Sequence, residues 1–150
     1  MKNLVIRPYR NEDEQRVIDL WFACRLVVPA NNPKRDIERK LLVNPELFLV
    51  GFLHKQIVAT CMAGYEGHRG WINYLAVSPD HRRQGFATLM MKEATKRLKS
   101  AGCPKINIQI RATNKTVIAF YERMGFTNDD VLSMGKRLKP DPPFVSSTNR

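Results

Sequence analysis

The spacing of apolar positions changes period several times along the chain, and each change marks an element. Leu4–Arg7 alternates as a short strand does. Val17, Ile18, Trp21 and Cys24 then fall on one helical face, and Asn11 and Glu14, three apart, form a capping-box-like start. Asn32-Pro33 predicts a second helix start, with Ile37, Leu41 and Leu42 turned inward. Strand patterns follow at Leu47–Leu53 and Ile57–Tyr65, joined as a hairpin through His54-Lys55-Gln56. A turn at Glu66–Gly70 leads into a third strand, Trp71–Val77.

Ser78-Pro79-Asp80 turns the chain again. Beyond the basic stretch Arg82–Gly85, residues Ala87, Met90, Met91, Ala94, Leu98 and Ala101 recur at helical spacing, and Gly102 supplies a left-handed stop. Ile106, Ile108 and Ile110 share one face of a strand over Lys105–Ile110. Thr116–Met124 reads as a short helix stopped by Gly125, and Phe126 to Leu138 as two more strands. Pro140, Pro142, Pro143, Ser146 and Ser147 predict a frayed end. The order β-α-α-β-β-β-α-β-α-β-β predicts an α/β domain over 1–138, a mixed sheet with helices on both faces. A flexible tail is expected over 139–150.

The composition narrows the class. With 150 residues, 43% hydrophobic and 26% charged, the chain suits one globular domain. Its longest apolar stretches, such as Leu47–Leu53, are far below the ~18–20 residues of a spanning helix, so no membrane association is expected. Arg7, Pro8 and Arg10 interrupt the first ten residues, where a secretion signal would need an apolar run. Cys24, Cys61 and Cys103 are odd in number and scattered, which argues against a disulfide framework and for a cytoplasmic location. His54, His68 and His81 join them in no metal-ligand spacing, so no metal is expected. The net charge is +11, and residues 76–150 carry +8 of it. Such a balance fits a polyanion partner or a phosphate-bearing ligand.

The chemistry is concentrated in Leu75–Thr88. There a buried strand enters a basic, glycine-containing loop that opens a long helix. The first N–H groups of a helix lack internal partners and sit at the positive end of its dipole, so an anion is stabilised there. Gly85 allows close backbone approach, Ala87 is small, and Arg82 and Arg83 add charge. From Arg82 to Lys99 there are six Lys/Arg against one Glu. The stretch fits a pyrophosphate cradle and equally a solvated basic loop capping a surface helix. It matches neither Walker A nor the three-glycine dinucleotide fingerprint.

Arg82-x-x-Gly85-x-Ala87 resembles the acetyl-CoA signature of the GNAT family of N-acetyltransferases. A second block, Arg111-Ala-Thr-Asn114 followed by Ala119 to Phe126 with Asn114 and Tyr121 seven apart, is similar to that family's strand-5/helix-4 block. Tyr74 to Pro79 resembles its strand 4. Asp36–Lys40, Gly64–Gly70, Gly102–Lys105 and Gly135–Leu138 resemble a narrower group of bacterial acetyltransferases within it. The resemblance spans about residues 4–138. It implies a mostly antiparallel sheet splayed near strands 4 and 5, and acetyl-CoA as acyl-donor cosubstrate.

The roles it implies are specific. The backbone of Leu75, Ala76 and Val77 would pair with the pantetheine arm as an added strand does, leaving an N–H for the thioester oxygen. Arg83, Gln84, Gly85, Phe86, Ala87 and Thr88 would offer N–H groups to the pyrophosphate beside Arg82. Asn114 would hydrogen-bond the pantetheine, and Tyr121 would protonate the departing thiolate, its phenol suiting a thiol leaving group. The residues themselves leave plainer roles open: Leu75–Val77 as core strand, Asn114 as helix cap, Tyr121 as core aromatic.

A base for the incoming amine is harder to find. In the branch that acetylates peptide N-termini, which the Arg111–Asn114 block resembles, a Glu five residues before the Asn takes the proton; here that position is Gln109. Glu66, His68 or a water chain are the alternatives, and Asn73 and Tyr74 are placed to line the acceptor pocket. Residues 20–45, on the acceptor side, carry mixed charges with no readable code. The expected function is N-acetyl transfer from acetyl-CoA by direct attack on a small-molecule or peptide amine. A basic nucleic acid-binding module and a noncatalytic acyl-CoA sensor are the competing readings. Nucleic acid is not expected as a partner, and a homodimer stays open.

Overall fold

The computed structural model describes residues 3–145. Five strands form one sheet in sequence order: β1 (Val5–Pro8), β2 (Phe48–Leu53), β3 (Gln56–Tyr65), β4 (Gly70–Val77) and β5 (Ile106–Ile108). Every neighbouring pair is antiparallel except β4 and β5, which run parallel. Among the described residues four α-helices complete the fold: α1 (Glu14–Ala23), α2 (Pro33–Lys40), α3 (Phe86–Ser100) and α4 (Lys115–Arg123).

Local chemistry explains most boundaries. Asn32 caps α2 by accepting from the Arg35 N–H at 3.1 Å, with Pro33 at the first helical position. The α1 end is capped one residue earlier than the Asn11–Glu14 pattern suggests. The Arg10 N–H donates to the Asp13 carboxylate at 2.8 Å, and a single 3-10 turn over Asn11–Asp13 precedes the helix. His54 and Lys55 both take positive φ (49° and 66°), so the β2–β3 hairpin is a two-residue turn of the kind that matches strand twist, and Gln56 already pairs with Leu53. At the end of α3, Gly102 N–H bonds the Lys99 carbonyl and Cys103 N–H bonds that of Leu98, a Schellman closure. Gly125 and Phe126 close α4 in the same way.

The core has two layers. Val17, Ile18 and Trp21 of α1 and Ile37 of α2 pack with Phe48, Val50, Met62 and Ala76 on one face of the sheet. Met90, Met91, Ala94 and Leu98 of α3, with Tyr121 of α4, cover Leu49, Ala59, Cys61 and Ile72 on the other. Helices therefore lie on both faces, as the element order predicts. Leu42 is a correction: α2 ends at Lys40, the chain turns outward, and Leu42 is 85% exposed.

The two strands expected within Phe126–Leu138 are not formed. Among the described residues no backbone ladder involves 127–145, and Val131, Leu132, Met134 and Leu138 are 78–90% exposed. Apolar residues are present, but among the described residues the segment is tied to the free outer edge of β5 only through side chains, such as Gln109 donating to Ser133, and forms no ladder with it. The segment expected as a tail makes contacts over 141–144. Asp141 pairs with Arg39 at 2.5 Å, the Asn32 side chain donates to the Pro142 carbonyl at 2.8 Å, and Phe144 packs on Phe22. Residues 146–150, with Ser146 and Ser147, lie outside the described residues.

Candidate active site

The ladder between β4 and β5 covers only Gly70, Trp71 and Ile72 against Ile106, Asn107 and Ile108. From Asn73 to Val77 β4 is paired on its β3 side alone, so the sheet opens there as a V. Ser78 N–H donates to the Val58 carbonyl, on the β3 side. By strand alternation Val77 and Leu75 turn their amide groups to the open side. The Val77 carbonyl accepts there from Cys24 Sγ at 3.3 Å and Arg82 Nε at 3.4 Å. Ala76 is buried and faces Thr60.

A bulge sits at this opening. Thr60 pairs with Ala76 and Met62 with Asn73, so Tyr74 and Leu75 together face Cys61. Tyr74 takes φ 49°, a left-handed conformation costly for a bulky residue. Three contacts hold it. Thr60 Oγ1 donates to the Tyr74 carbonyl at 2.8 Å while accepting from Trp21 Nε1 at 2.9 Å. The Trp21 and Tyr74 rings stack with centroids 3.7 Å apart. The Tyr74 hydroxyl donates to Asp36 Oδ2 at 2.6 Å. Burial, and then this bond, raise the Tyr74 pKa, so it remains a phenol.

Beyond β4 a 3-10 turn, Pro79–His81, leads into the basic loop. Arg82, Arg83 and Gln84 are exposed, Arg83 has φ 61°, and Gly85 (φ 79°) is the N-cap of α3 with open space where a Cβ would stand. No side chain caps α3, its first turn contains no acid, and the first internal bond runs from Leu89 N–H to the Gly85 carbonyl. The N–H groups of Phe86, Ala87 and Thr88 are thus left for an acceptor, which is what an anion site requires.

Tyr121 is buried on the α3/α4 face, in the same cluster as Cys61. The Schellman turn brings Phe126 back over its ring (5.4 Å between centroids), and Phe120 packs edge-on at 5.0 Å. Burial raises the Tyr121 pKa, with a smaller contribution from Cys61, so its proton is retained. Because Cys61 lies opposite the bulge, Tyr121 on one face and the Asp36–Tyr74 pair on the other meet the sheet at the same level. A sequence model of the acetyltransferase (GNAT) family matches residues 7–126. The chain belongs to the GNAT acetyltransferase family.

It is accordingly an acyltransferase, and GNAT enzymes use acetyl-CoA as cosubstrate. The chain is 45% identical to an acetyltransferase of Yersinia pestis strain Pestoides F over 139 residues, covering 93% of this chain and 99% of that one. Its fold is similar to that of Ard1 from Thermoplasma volcanium, with a TM-score of 0.71 and 18% identity over 83% of this chain and 82% of that one. A similar likeness holds to an aminoglycoside 6'-N-acetyltransferase of Acinetobacter haemolyticus, with a TM-score of 0.70 and 18% identity over 90% and 99% of the two chains.

Within this GNAT fold the expected site residues fall as follows. Leu75–Val77, Arg82–Thr88 and Tyr121 gather around the open V. Asn114 caps α4, its Oδ1 accepting from the Val117 N–H at 3.3 Å, which leaves its amide NH2 as a donor. Glu66 and His68, two of the alternatives for the base, lie away from the bulge. They sit in the turn before Gly70, at the closed end of the V, some four to five strand residues (~13–17 Å) from the bulge. The Glu66 carboxylate also accepts the N–H groups of His68 and Arg69. Gln109 is exposed and donates to Ser133. Trp21, Thr60 and Asp36 are additions that sequence reading does not single out for function. Asp36 stands three residues from the Asp36–Arg39 pair's other member and reads as an ordinary first-turn acid. Among the described residues no group of three His, Cys, Asp or Glu could hold a metal ion, and no helix is long and apolar enough to cross a membrane.

Proposed function

We propose that this GNAT enzyme transfers the acetyl group of acetyl-CoA to a primary amine of a small molecule or peptide, by direct attack in a ternary complex. The carrying observation is the β4 bulge at the open edge of the sheet, flanked by the Tyr121 phenol on one face and the Asp36–Tyr74 pair on the other. Leu75, Ala76 and Val77 hold the pantetheine along the unpaired edge, where the amide groups of Leu75 and Val77 are turned. Arg82, Arg83, Gln84, Gly85, Phe86, Ala87 and Thr88 hold the pyrophosphate, and the Asn114 amide donates to the pantetheine while its oxygen caps α4.

The chemistry then needs two proton movements. The acceptor enters from the α1/α2 face as an ammonium and loses a proton to Asp36, through Tyr74 or one water, taking the role that Gln109 cannot fill. The amine nitrogen forms a bond to the acetyl carbon, a free β4 N–H at the bulge stabilises the oxyanion, and the carbon–sulfur bond breaks. Tyr121 gives its proton to the departing thiolate. No cysteine acyl-enzyme is used, and burial pushes the Cys61 thiol up to about 12, keeping it protonated and unreactive. Residues 1–138 form the catalytic domain, with 139–150 appended, and the protein works in the cytoplasm.

The test is a thiol-release screen of acetyl-CoA against amine classes. Turnover that depends on one amine class supports the reading. Tight acetyl-CoA binding with no turnover on any amine would favour a sensor.

A further inference from the structure

The segment after α4 and the helix α2 face each other across the entrance to the bulge. Ile106, Ile108 and Ile110 pack into the α3 core, so Asn107 and Gln109 turn to the α2 face of the sheet. There Asn107 donates to Asp129 at 2.7 Å and Gln109 donates to Ser133, which seats the segment over that face. Further along, the Arg39 guanidinium of α2 donates to the Asp141 carboxylate at 2.5 and 3.3 Å, and the Asn32 N–H donates to it at 3.3 Å. The segment is thus fixed on β5 at one end and on α2 at the other.

Between the two anchors Arg39 and residues Gly135, Lys136, Arg137, Leu138 and Lys139 line a cavity of about 660 Å³. Every charged side chain in that lining is a cation. Among the described residues Lys136, Arg137 and Lys139 form no ion pair. Cations gathered around one cavity repel one another, and an anion entering it relieves that repulsion. The chain's own acid shows the preference. The Asp141 side chain is only 5% exposed beside Arg39. The Arg39 hydrogen bond first, then the Asn32 N–H and the charges of Arg39 and Arg137, overcome desolvation and keep it below the usual carboxylate range.

The cavity also adjoins the reacting end. Asp36 accepts from the Tyr74 hydroxyl on Oδ2 at 2.6 Å, and its Oδ1 lies 3.7 Å from Arg39, so one carboxylate separates the bulge from the cationic lining. A molecule with an ammonium at Asp36 and Tyr74 and an anion at Arg137 satisfies both ends. We propose that the acceptor amine carries its own anionic group, a carboxylate or a phosphate, and that Arg137, with Lys136 and Lys139, binds that group in this cavity. Polycationic amines are repelled by the same lining. The proposal rests on the acetyl-transfer reading and adds the substrate class.

The test is thiol release from acetyl-CoA with amines matched in all but one group. At each of several chain lengths the acceptors are an ω-aminoalkyl carboxylate, the aminoalkyl phosphonate, the carboxamide and the diamine. The carboxylate and phosphonate arms tell the two anions apart. The better of them should exceed the carboxamide in kcat/KM by about tenfold or more, with the diamine poorest. Arg137→Gln should bring that ratio to within about threefold of parity, chiefly through KM, and Arg137→Lys should keep most of it. Acetyl-CoA affinity, measured by calorimetry, shows that each variant is folded. Turnover of the carboxamide or the diamine equal to that of the anionic amines would overturn the proposal and leave acetyl transfer standing. So would a preference that Arg137→Gln leaves unchanged. A second arm needs no turnover: the N-acetyl derivatives of the carboxylate and carboxamide series are titrated into the protein loaded with CoA. Tighter binding of an acid by about tenfold, lost in Arg137→Gln, upholds the anion site even where no amine is acetylated; equal binding of acid and carboxamide at every length overturns it.

Discussion

The Tyr74 hydroxyl donates a 2.6 Å hydrogen bond to Asp36, tying the strained bulge of β4 to the first turn of α2. The only carboxylate bonded to the bulge among the described residues therefore lies on the face from which an acceptor would enter. Asp36→Asn keeps an oxygen for the Tyr74 hydroxyl and removes the proton acceptor. Turnover is expected to fall by roughly 10²–10⁴-fold, with acetyl-CoA affinity within about threefold of wild type. Steady-state kinetics with binding on the same preparation checks this, and an unchanged kcat would assign the proton to water.

Gly85→Asp is expected to abolish acetyl-CoA binding. The residue caps α3 at φ 79°, where a side chain is strained by about 1–2 kcal/mol, and the new carboxylate would stand before the unpaired N–H groups that receive the pyrophosphate. Calorimetric titration of the folded variant reads this directly; unchanged affinity would take the loop out of the site.

Acetyl-CoA itself is expected to stabilise the wild-type protein. At about 100 times Kd the gain is ~2.7 kcal/mol, several degrees in Tm. A melt that shifts with duplex DNA and not with acetyl-CoA would instead support a nucleic acid-binding role.

Asp13 anchors the entry to α1. Its buried carboxylate accepts from Arg7 at 2.8 and 3.0 Å, from Arg16 at 3.1 Å and from the Arg10 N–H. Burial alone would raise its pKa; the Arg7 hydrogen bonds, the Arg10 N–H and the nearby guanidinium charges outweigh it and hold the group below the usual carboxylate range. Its stabilisation is therefore present above about pH 4 and is lost as pH falls through the lowered folded value. Asp13→Asn should cost about 1.5–3 kcal/mol at pH 7, and the difference from wild type should shrink in acid. Denaturant melts at pH 7 and pH 3 test the sign.

How far these features can be read without coordinates depends on where their causes lie. The Asn32 cap, the two Schellman stops and the basic loop before α3 have causes within a few residues, and local pattern predicts them. The Tyr74 bulge does not, because nothing near Tyr74 calls for positive φ; Thr60 and Trp21, 14 and 53 residues away, impose it. Asp36 looks like a common helix-opening acid until α2 is laid on β4. Glu66 and His68 are near the site in sequence order and far from it along β4, since the V opens at the opposite end. The strands expected at 126–138 do not form although the outer edge of β5 is free beside them, and nothing in the segment's own residues foretells that.

The most direct test of the mechanism is Tyr121→Phe, with kcat and acetyl-CoA Kd measured on one preparation. The ring keeps its packing against Phe120 and Phe126, and only the hydroxyl is lost. Because burial raises the Tyr121 pKa, wild-type kcat should show no loss from its ionisation up to about pH 10. In the variant the thiolate must leave unprotonated. We expect kcat to fall by roughly 10²–10⁴-fold while Kd changes by less than about tenfold, one hydrogen bond being at stake in the ground state. Full kcat in a folded Phe variant would contradict the assignment of Tyr121 as the acid.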